Sequence, residues 1–422
     1  MSGYFSEFAL NRRRVEVEIK WLMFLSRHGL IPKVKDMPDT FGLSDMESLR
    51  TLERRVNHDV KAVEYFLKQK LRQQGMEDVS EFVHWGLTSE DINNLAVSLN
   101  LRDYLTDQLI PLINQAIKAL RKLMLASKYP MMGRTHGQPA EVTVLGKELA
   151  VFLVRCKDEL KRMSKLRIQG KLNGAVGSFV DQHFCFPDEN WSILSGKLVK
   201  ELGLDPAPAT TQILPYDSLL AVFSSVLRLQ NIAVDLCQNL WWYLSLGYFV
   251  QKTGDTEVGS SVMPQKVNPI YLEGAEGGFE LSNALFEFYI RKLSRSRLQR
   301  DLSDSTVRRS FGIAFGYSHL SWQSLIEGLS RLKSNPSGLK RDLENHWEIM
   351  AGPIQSYLRL KGFAQGYEML AKQIKGKSLR HPQFLKLIDQ LKLGTAESDK
   401  LKNLTPENLA GPSLSIIKNV TS

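Results

Sequence analysis

Apolar side chains recur along this chain at intervals of three and four residues, over stretches far longer than a strand. Residues 216–246 contain neither glycine nor proline, and Leu219, Leu220, Phe223, Val226, Leu227, Ala233, Leu236, Cys237 and Leu240 form one stripe within them. That is the period of an α-helix, and such a helix would be about 45 Å long. Residues 279–311 are also free of both breakers. Residues 112–128 follow Pro111, and residues 140–169 are interrupted only by Gly146. Alternating β-branched runs are scarce, so the pattern predicts an all-α protein. Helices of this length need a packing partner along most of their extent, which predicts a central bundle of long helices. Trp241 and Trp242 are adjacent and point to different sides of one helix. Burial of both would require cover on more than one side, which favours an oligomer.

The breakers also divide the chain. Residues 1–95 read as shorter helices, residues 96–335 as the long-helix bundle, and residues 336–422, entered through "KSNPSG", as a small helical C-terminal domain. The 422 residues are 43% hydrophobic and 24% charged, ordinary for a globular chain of more than one domain. A net charge of +10 suits an anionic ligand, and equally nucleic acid or no more than a solvated surface. The basic residues form no tails, and their densest cluster, Arg12 to Arg14, runs into the amphipathic segment "VEVEIKWLMFL". No nucleic-acid signature accompanies it, so no nucleic-acid partner is expected. The three cysteines are far apart, with no disulfide spacing, which suits a reducing cytoplasm. The N-terminus lacks the apolar core of a secretory signal. The most apolar run carries Arg228 and Asp235 and reads as a buried core helix, so no membrane association is expected.

Metal and hydrolase chemistry find no foothold: HExxH, EF-hand, clustered Cys/His and GxSxG patterns are all missing. No metal and no cofactor are expected. "GKLNGAVGSF" is glycine-rich, but its spacing fits neither GxGxxG nor a P-loop, and it reads as a turn after a long helix. Three histidines lie in unusual surroundings. Asn57, His58 and Asp59 precede a helical run, at a possible helix start. After His84, Thr88 and Ser89 precede Glu90 and Asp91, the pattern of a capped N-terminus with acids in its first turn. His136 lies between Arg134 and Gln138, in a turn restricted by Gly137 and Pro139 before a helix, a setting suited to a general acid.

A polar, cationic loop, "GSSVMPQKVNP", interrupts the long apolar blocks. It resembles the GSSxMPxKxNP signature of the fumarase/aspartase superfamily. "NHDVKAVEYFL", "TSEDINNL", "RTHGQPA", "GKLNGAVG", "TTQILPYD" and "QRDLSDSTVRRS" are similar, in order, to motifs of the adenylosuccinate lyase family, across nearly the whole chain. The resemblance implies a three-part all-α fold, a homotetramer with active sites shared by three subunits, and a nucleotide substrate. The implied reaction is β-elimination of fumarate from adenylosuccinate, giving AMP, and from SAICAR, giving AICAR. In it, Ser260 corresponds to the general base and His136 to the general acid. Lys266 would favour the deprotonated serine and stabilise the aci-carboxylate, while Ser261 and Asn268 would hold carboxylate or ribose oxygens. His58 matches a substrate-orienting histidine, and Asn57 and Asp59 beside it are expected to bind substrate with it; Thr88 and Ser89 match a binding pair, and Gln212 a contact to the succinyl part. Arg300, Ser305 and Arg309 match the succinyl- and phosphate-binding segment, Arg309 following Ser305 by one helical turn.

Two positions depart from the family pattern. The family has an Arg-Tyr pair in an N-terminal segment, whereas this chain begins at "MSGYFSEF", aligning after the place of that pair, Tyr4 not being its equivalent; an asparagine beyond the loop's NP appears here as Gly274. A start site assigned too late, a paralogue with altered substrate, or compensation by a group such as Arg13 or Arg14 would each account for this. A sister lyase releasing fumarate from another amine, such as argininosuccinate, and an inactive homo-oligomer on the same scaffold remain as alternatives.

Overall fold

A computed structural model describes residues 1–35, 41–253, 262–363 and 365–421. Helices dominate it, as the apolar spacing predicts. In chain order the principal elements are α1 (Glu7–Arg27), α2 (Leu43–Val56), α3 (Asp59–Gln73), α4 (Ser89–Tyr104) and α5 (Ile110–Ala126), then β1 (Pro130–Thr135) and β2 (Gln138–Val144). They continue with α6 (Leu145–Met163), α7 (Trp191–Glu201), α8 (Asp217–Ser245), β3 (Phe249–Gln251), α9 (Ile270–Leu293), α10 (Ser303–Arg308), α11 (Phe311–Arg331), β4 (Leu332–Ser334) and α12 (Pro336–Glu344). Shorter helices follow to Thr421.

Helix α8 lies within one residue of the glycine- and proline-free block. Its predicted stripe is buried throughout except for Leu227, which is half-buried. Among the described residues α8 alone is long and apolar enough to cross a membrane, and 67% of its most apolar window is buried in protein. Two other blocks differ from their expected outlines. Residues 138–144 are a strand, so α6 begins only at Leu145 and ends at Met163. Pro139 lacks an N–H and disfavours the helical region before it, while Val142, Thr143 and Val144 favour extended backbone. The block 279–311 is not one helix either: α9 stops at Leu293, and residues 294–302 form a loop. Ser294, Arg295, Ser296 and Arg297 supply no apolar face to bury, and all are exposed.

The chain divides into two compact units that alternate along the sequence. The first comprises Met1–Ile113, Glu159–Gln230 and Gly278–Leu320; the second comprises Asn114–Asp158, Asn231–Gly277 and Ser321–Ser422. In the first, Trp21, Phe24 and Leu25 of α1 pack with Val63 and Phe66 of α3, Ile92 and Leu95 of α4, and Leu198 of α7. Full burial of each such side chain stabilises by about 1.5–3 kcal/mol. Trp21 keeps its polar atom satisfied by donating from Nε1 to the Trp85 carbonyl at 3.0 Å. A second cluster joins Phe223 of α8, Phe286 and Tyr289 of α9, and Phe311 and Phe315 of α11, largely edge-on or tilted. The second unit is organised around the β1–β2 hairpin, the antiparallel β3–β4 pair and α12.

Candidate active site

In the first unit, five of the motif segments converge on the N-terminus of α4. Thr88 caps that helix and forms a capping box with Asp91, as the sequence pattern implies. The two acids that follow are engaged inside the protein. Asp91 is fully buried; its Oδ1 accepts from Asn173 N at 2.9 Å and its Oδ2 from Gly174 N at 3.0 Å. The Lys171 ammonium lies 2.9 Å from the same carboxylate. Burial holds that ammonium below the usual lysine range, even against the Asp91 charge. Thus "GKLNGAVG" is not a simple turn but is laced to α4. It also meets "TTQILPYD": Asn173 Nδ2 donates to Thr210 Oγ1 at 2.8 Å. Gly177, at φ +77°, approaches so closely that a Cβ would stand 2.3 Å from the Thr210 carbonyl oxygen.

Glu90 gathers the arginines. Arg308 reaches both of its carboxylate oxygens at 2.9 Å, and Arg300 Nη1 lies 2.8 Å from Oε1. Asn93 donates to the same carboxylate at 3.0 Å and accepts from Arg14 Nε at 2.9 Å. Arg14 is then paired with Asp59, which extends the network to the start of α3. Burial holds Arg300 and Arg14 below the ordinary guanidinium range. Burial alone would raise the Asp59 carboxyl, but Arg14 and the Val60 N–H outweigh it and lower it. Ser305 accepts from Arg300 at 3.3 Å and from Arg308 at 3.2 Å. Arg309 caps α10 with its backbone N–H on the Val307 carbonyl, and its exposed side chain has no partner among the described residues.

His58 caps α3, with Asn57 held left-handed at φ 52° behind it. Its Nδ1 accepts from Lys61 N at 3.2 Å, which assigns the ring proton to Nε2, and the side chain is 52% exposed. Gln212 is half-buried. Ahead of Thr88, Glu18 accepts from His84 N at 3.1 Å and meets its Nδ1 at 2.6 Å. Burial opposes the His84 imidazolium, but Glu18 overrides it and raises its pKa.

In the second unit, His136 and Gly137 are the two tip residues of the β1–β2 hairpin, with Thr135 paired to Gln138. Both have positive φ, 53° and 73°, the pattern of a type I′ turn. A bulge between Gly133 and Arg134 adjusts the register below them. The His136 side chain is exposed and has no hydrogen-bond partner among the described residues. Ser260 and Ser261 lie outside the described residues. Lys266 is exposed, and Asn268 is half-buried in a segment tied to β3 by a 3.1 Å bond from Gln251 Nε2 to the Val267 carbonyl.

Residues 28–279 match the family model described as Lyase, and residues 296–410 match Adenylosuccinate lyase C-terminal. The chain is 41% identical to adenylosuccinate lyase of Buchnera aphidicola subsp. Baizongia pistaciae, covering 99% of this chain and 93% of that protein. It is 38% identical to the Escherichia coli K12 adenylosuccinate lyase, covering 99% and 94%. The chain belongs to the adenylosuccinate lyase family. It is therefore a lyase. Among solved structures, a fumarate lyase from Mesorhizobium sp. BNC1 shares the all-α fold at TM-score 0.79 and 20% identity, covering 99% of this chain and 96% of that one.

For a member of the adenylosuccinate lyase family, two features of the site escape motif reading. Arg308, not Arg309, binds Glu90, and the adjacent arginines of "VRRS" were the available signal. Lys171 was hidden because its partner is far away in sequence. Neither residue named as a substitute for the family's Arg-Tyr pair is free: Arg13 is paired with Glu16 and Asp103, and Arg14 with Asp59.

Proposed function

We propose that this chain eliminates fumarate from adenylosuccinate, giving AMP, and from SAICAR, giving AICAR, in purine nucleotide biosynthesis. Ser260 removes a proton from the carbon beside one succinyl carboxylate. The electron pair becomes the new C=C bond as the C–N bond breaks, and the His136 imidazolium passes its proton to the departing nitrogen. Lys266 meets the charge that builds on the carboxylate. Arg300, Ser305 and Arg309 take the substrate's anionic groups, with His58, Thr88, Ser89, Gln212, Ser261 and Asn268 around it. Asn57 and Asp59 join His58 in binding the substrate at that corner, where Asn57 also sets the left-handed turn before His58.

Family membership across the full chain carries this reading. The clustering of "NHDV", "TSED", "GKLN", "TTQ" and "QRDLSDSTVRR" around Glu90 and Asp91 supports its binding half. A homotetramer in the cytoplasm completes it. Trp241, Trp242, Val151 and Val154 of the second unit are 39%, 60%, 44% and 37% exposed, apolar surface of the kind that subunit association covers.

The test is fumarate release, followed by ultraviolet absorbance, from adenylosuccinate, SAICAR and argininosuccinate in separate assays. Turnover of the first two is expected. Turnover of argininosuccinate alone would replace the substrate, and no turnover by a folded tetramer would support an inactive scaffold.

A further inference from the structure

The hairpin that carries His136 is a two-stranded element, which is marginal by itself, and its tip must be set by whatever braces the strands just below it. That brace lies outside the motifs. Two residues before His136, Arg134 Nη2 donates to both carboxylate oxygens of Asp342 on α12, at 2.9 and 2.8 Å. Its Nη1 donates to the Tyr248 hydroxyl, which itself donates to Asp342 Oδ2. The guanidinium also stands 5.9 Å from the centre of the Tyr248 ring. Arg134 and Asp342 are each only 21% exposed. The Arg134 guanidinium is thereby committed to an internal carboxylate and phenol.

Helix α12 is in turn pinned. Asn335 caps it through Gly338 N and donates to the Gly247 carbonyl at 2.8 Å, in the turn that precedes Tyr248. On its other side Asp342 lies 3.9 Å from His346 Nε2. His346 Nδ1 meets Glu348 at 2.7 Å, and Glu348 accepts from Leu379 N at 2.7 Å. The hairpin strand just below the tip, the turn after α8 and the C-terminal helices therefore share one carboxylate.

We propose that Asp342 is a positioning residue for His136, acting through Arg134 to fix the hairpin tip from which the imidazole donates. The proposal rests on the general-acid reading of His136. A general acid must lie within hydrogen-bond reach of the atom it protonates, and a misplacement of about 1 Å costs on the order of 100-fold. An amide in place of the Asp342 carboxylate keeps the shape but gives up the ionic, two-pronged grip.

The experiment compares kcat and KM for fumarate release by the assembled enzyme and its Asp342→Asn, Asp342→Glu, Arg134→Ala, Arg134→Ala/Asp342→Asn and His136→Asn variants. Asp342→Asn is expected to lower kcat about 10- to 100-fold while KM stays within about two-fold. Asp342→Glu recovers part of the loss. The double variant is no slower than the worse single, because both residues serve one interaction. A normally melting Asp342→Asn enzyme with kcat within about two-fold of wild type overturns the proposal, as does a double variant whose losses multiply. If Asp342→Asn does not assemble, Tyr248→Phe carries the test: a few-fold fall in kcat at constant KM supports the role, and unchanged kcat overturns it. An inactive His136→Asn beside a fully active Asp342→Asn removes only the positioning role. A fully active His136→Asn removes the general-acid reading and the proposal with it.

Discussion

Glu90, in the first unit, is 1% exposed and held between two guanidinium groups, whereas His136, in the second, stands in the open at the end of a hairpin. One region holds its charges neutralised and oriented; the other leaves its imidazole unengaged, with the Arg134–Asp342 pair bracing the strand just below it. Preorganised charge needs no rearrangement when an anion binds. An unengaged imidazole, by contrast, keeps both ring nitrogens available for proton transfer. With binding and proton transfer divided as proposed, substitutions in the two regions should have different signatures.

The largest effect should come from the exposed side. His136→Asn preserves a residue that tolerates the left-handed turn and should lower kcat about 10²- to 10⁴-fold with an unchanged melting curve. A melting curve that collapses instead would erase the contrast. In the packed region the loss should be one of stability. Lys171→Met strands the Asp91 carboxylate and should cost about 3–5 kcal/mol in urea unfolding; a cost below about 1 kcal/mol would mean that Asp91 is carried by its backbone donors alone.

A finer comparison lies within "VRRS". Arg308→Lys gives up the two-pronged hold on Glu90 and should destabilise by about 1.5–3 kcal/mol. Arg309→Lys should leave stability within about 0.5 kcal/mol but raise KM for adenylosuccinate. Reversed outcomes would exchange the roles of the two arginines. The smallest effect concerns pH. His84 has a folded pKa raised above its unfolded value, so its pairing with Glu18 stabilises fully below about pH 6.5 and is lost as pH rises through the higher folded value. The urea midpoint should fall over that window in wild type, and less so in His84→Gln.

The long helices were legible because an apolar stripe repeats over many turns; α8 needed no tertiary information. The hairpin was not, since β1 and β2 are short, lie between helices, and draw their extended shape from Pro139 and three β-branched residues. The capped start of α4 could be read from "TSED" because a capping box is local. The identity of Arg308 could not. Helix α10 is only six residues long, and the spacing from Ser305 to Arg309 does not reveal that the helix ends at Arg308. Lys171 and Asp91 illustrate the general limit: an ion pair 80 residues apart leaves no periodic trace in the chain.

The two-residue His-Gly tip also constrains how the imidazole's reach can change. Each added strand residue advances the tip by about 3.3 Å and sends the next side chain to the opposite face. Lengthening the hairpin by one residue per strand would therefore deliver the histidine facing the wrong way. Only paired insertions, in steps of about 7 Å, restore its side, far too coarse for fine adjustment. Small corrections must come from below the tip, at the bulge beside Arg134.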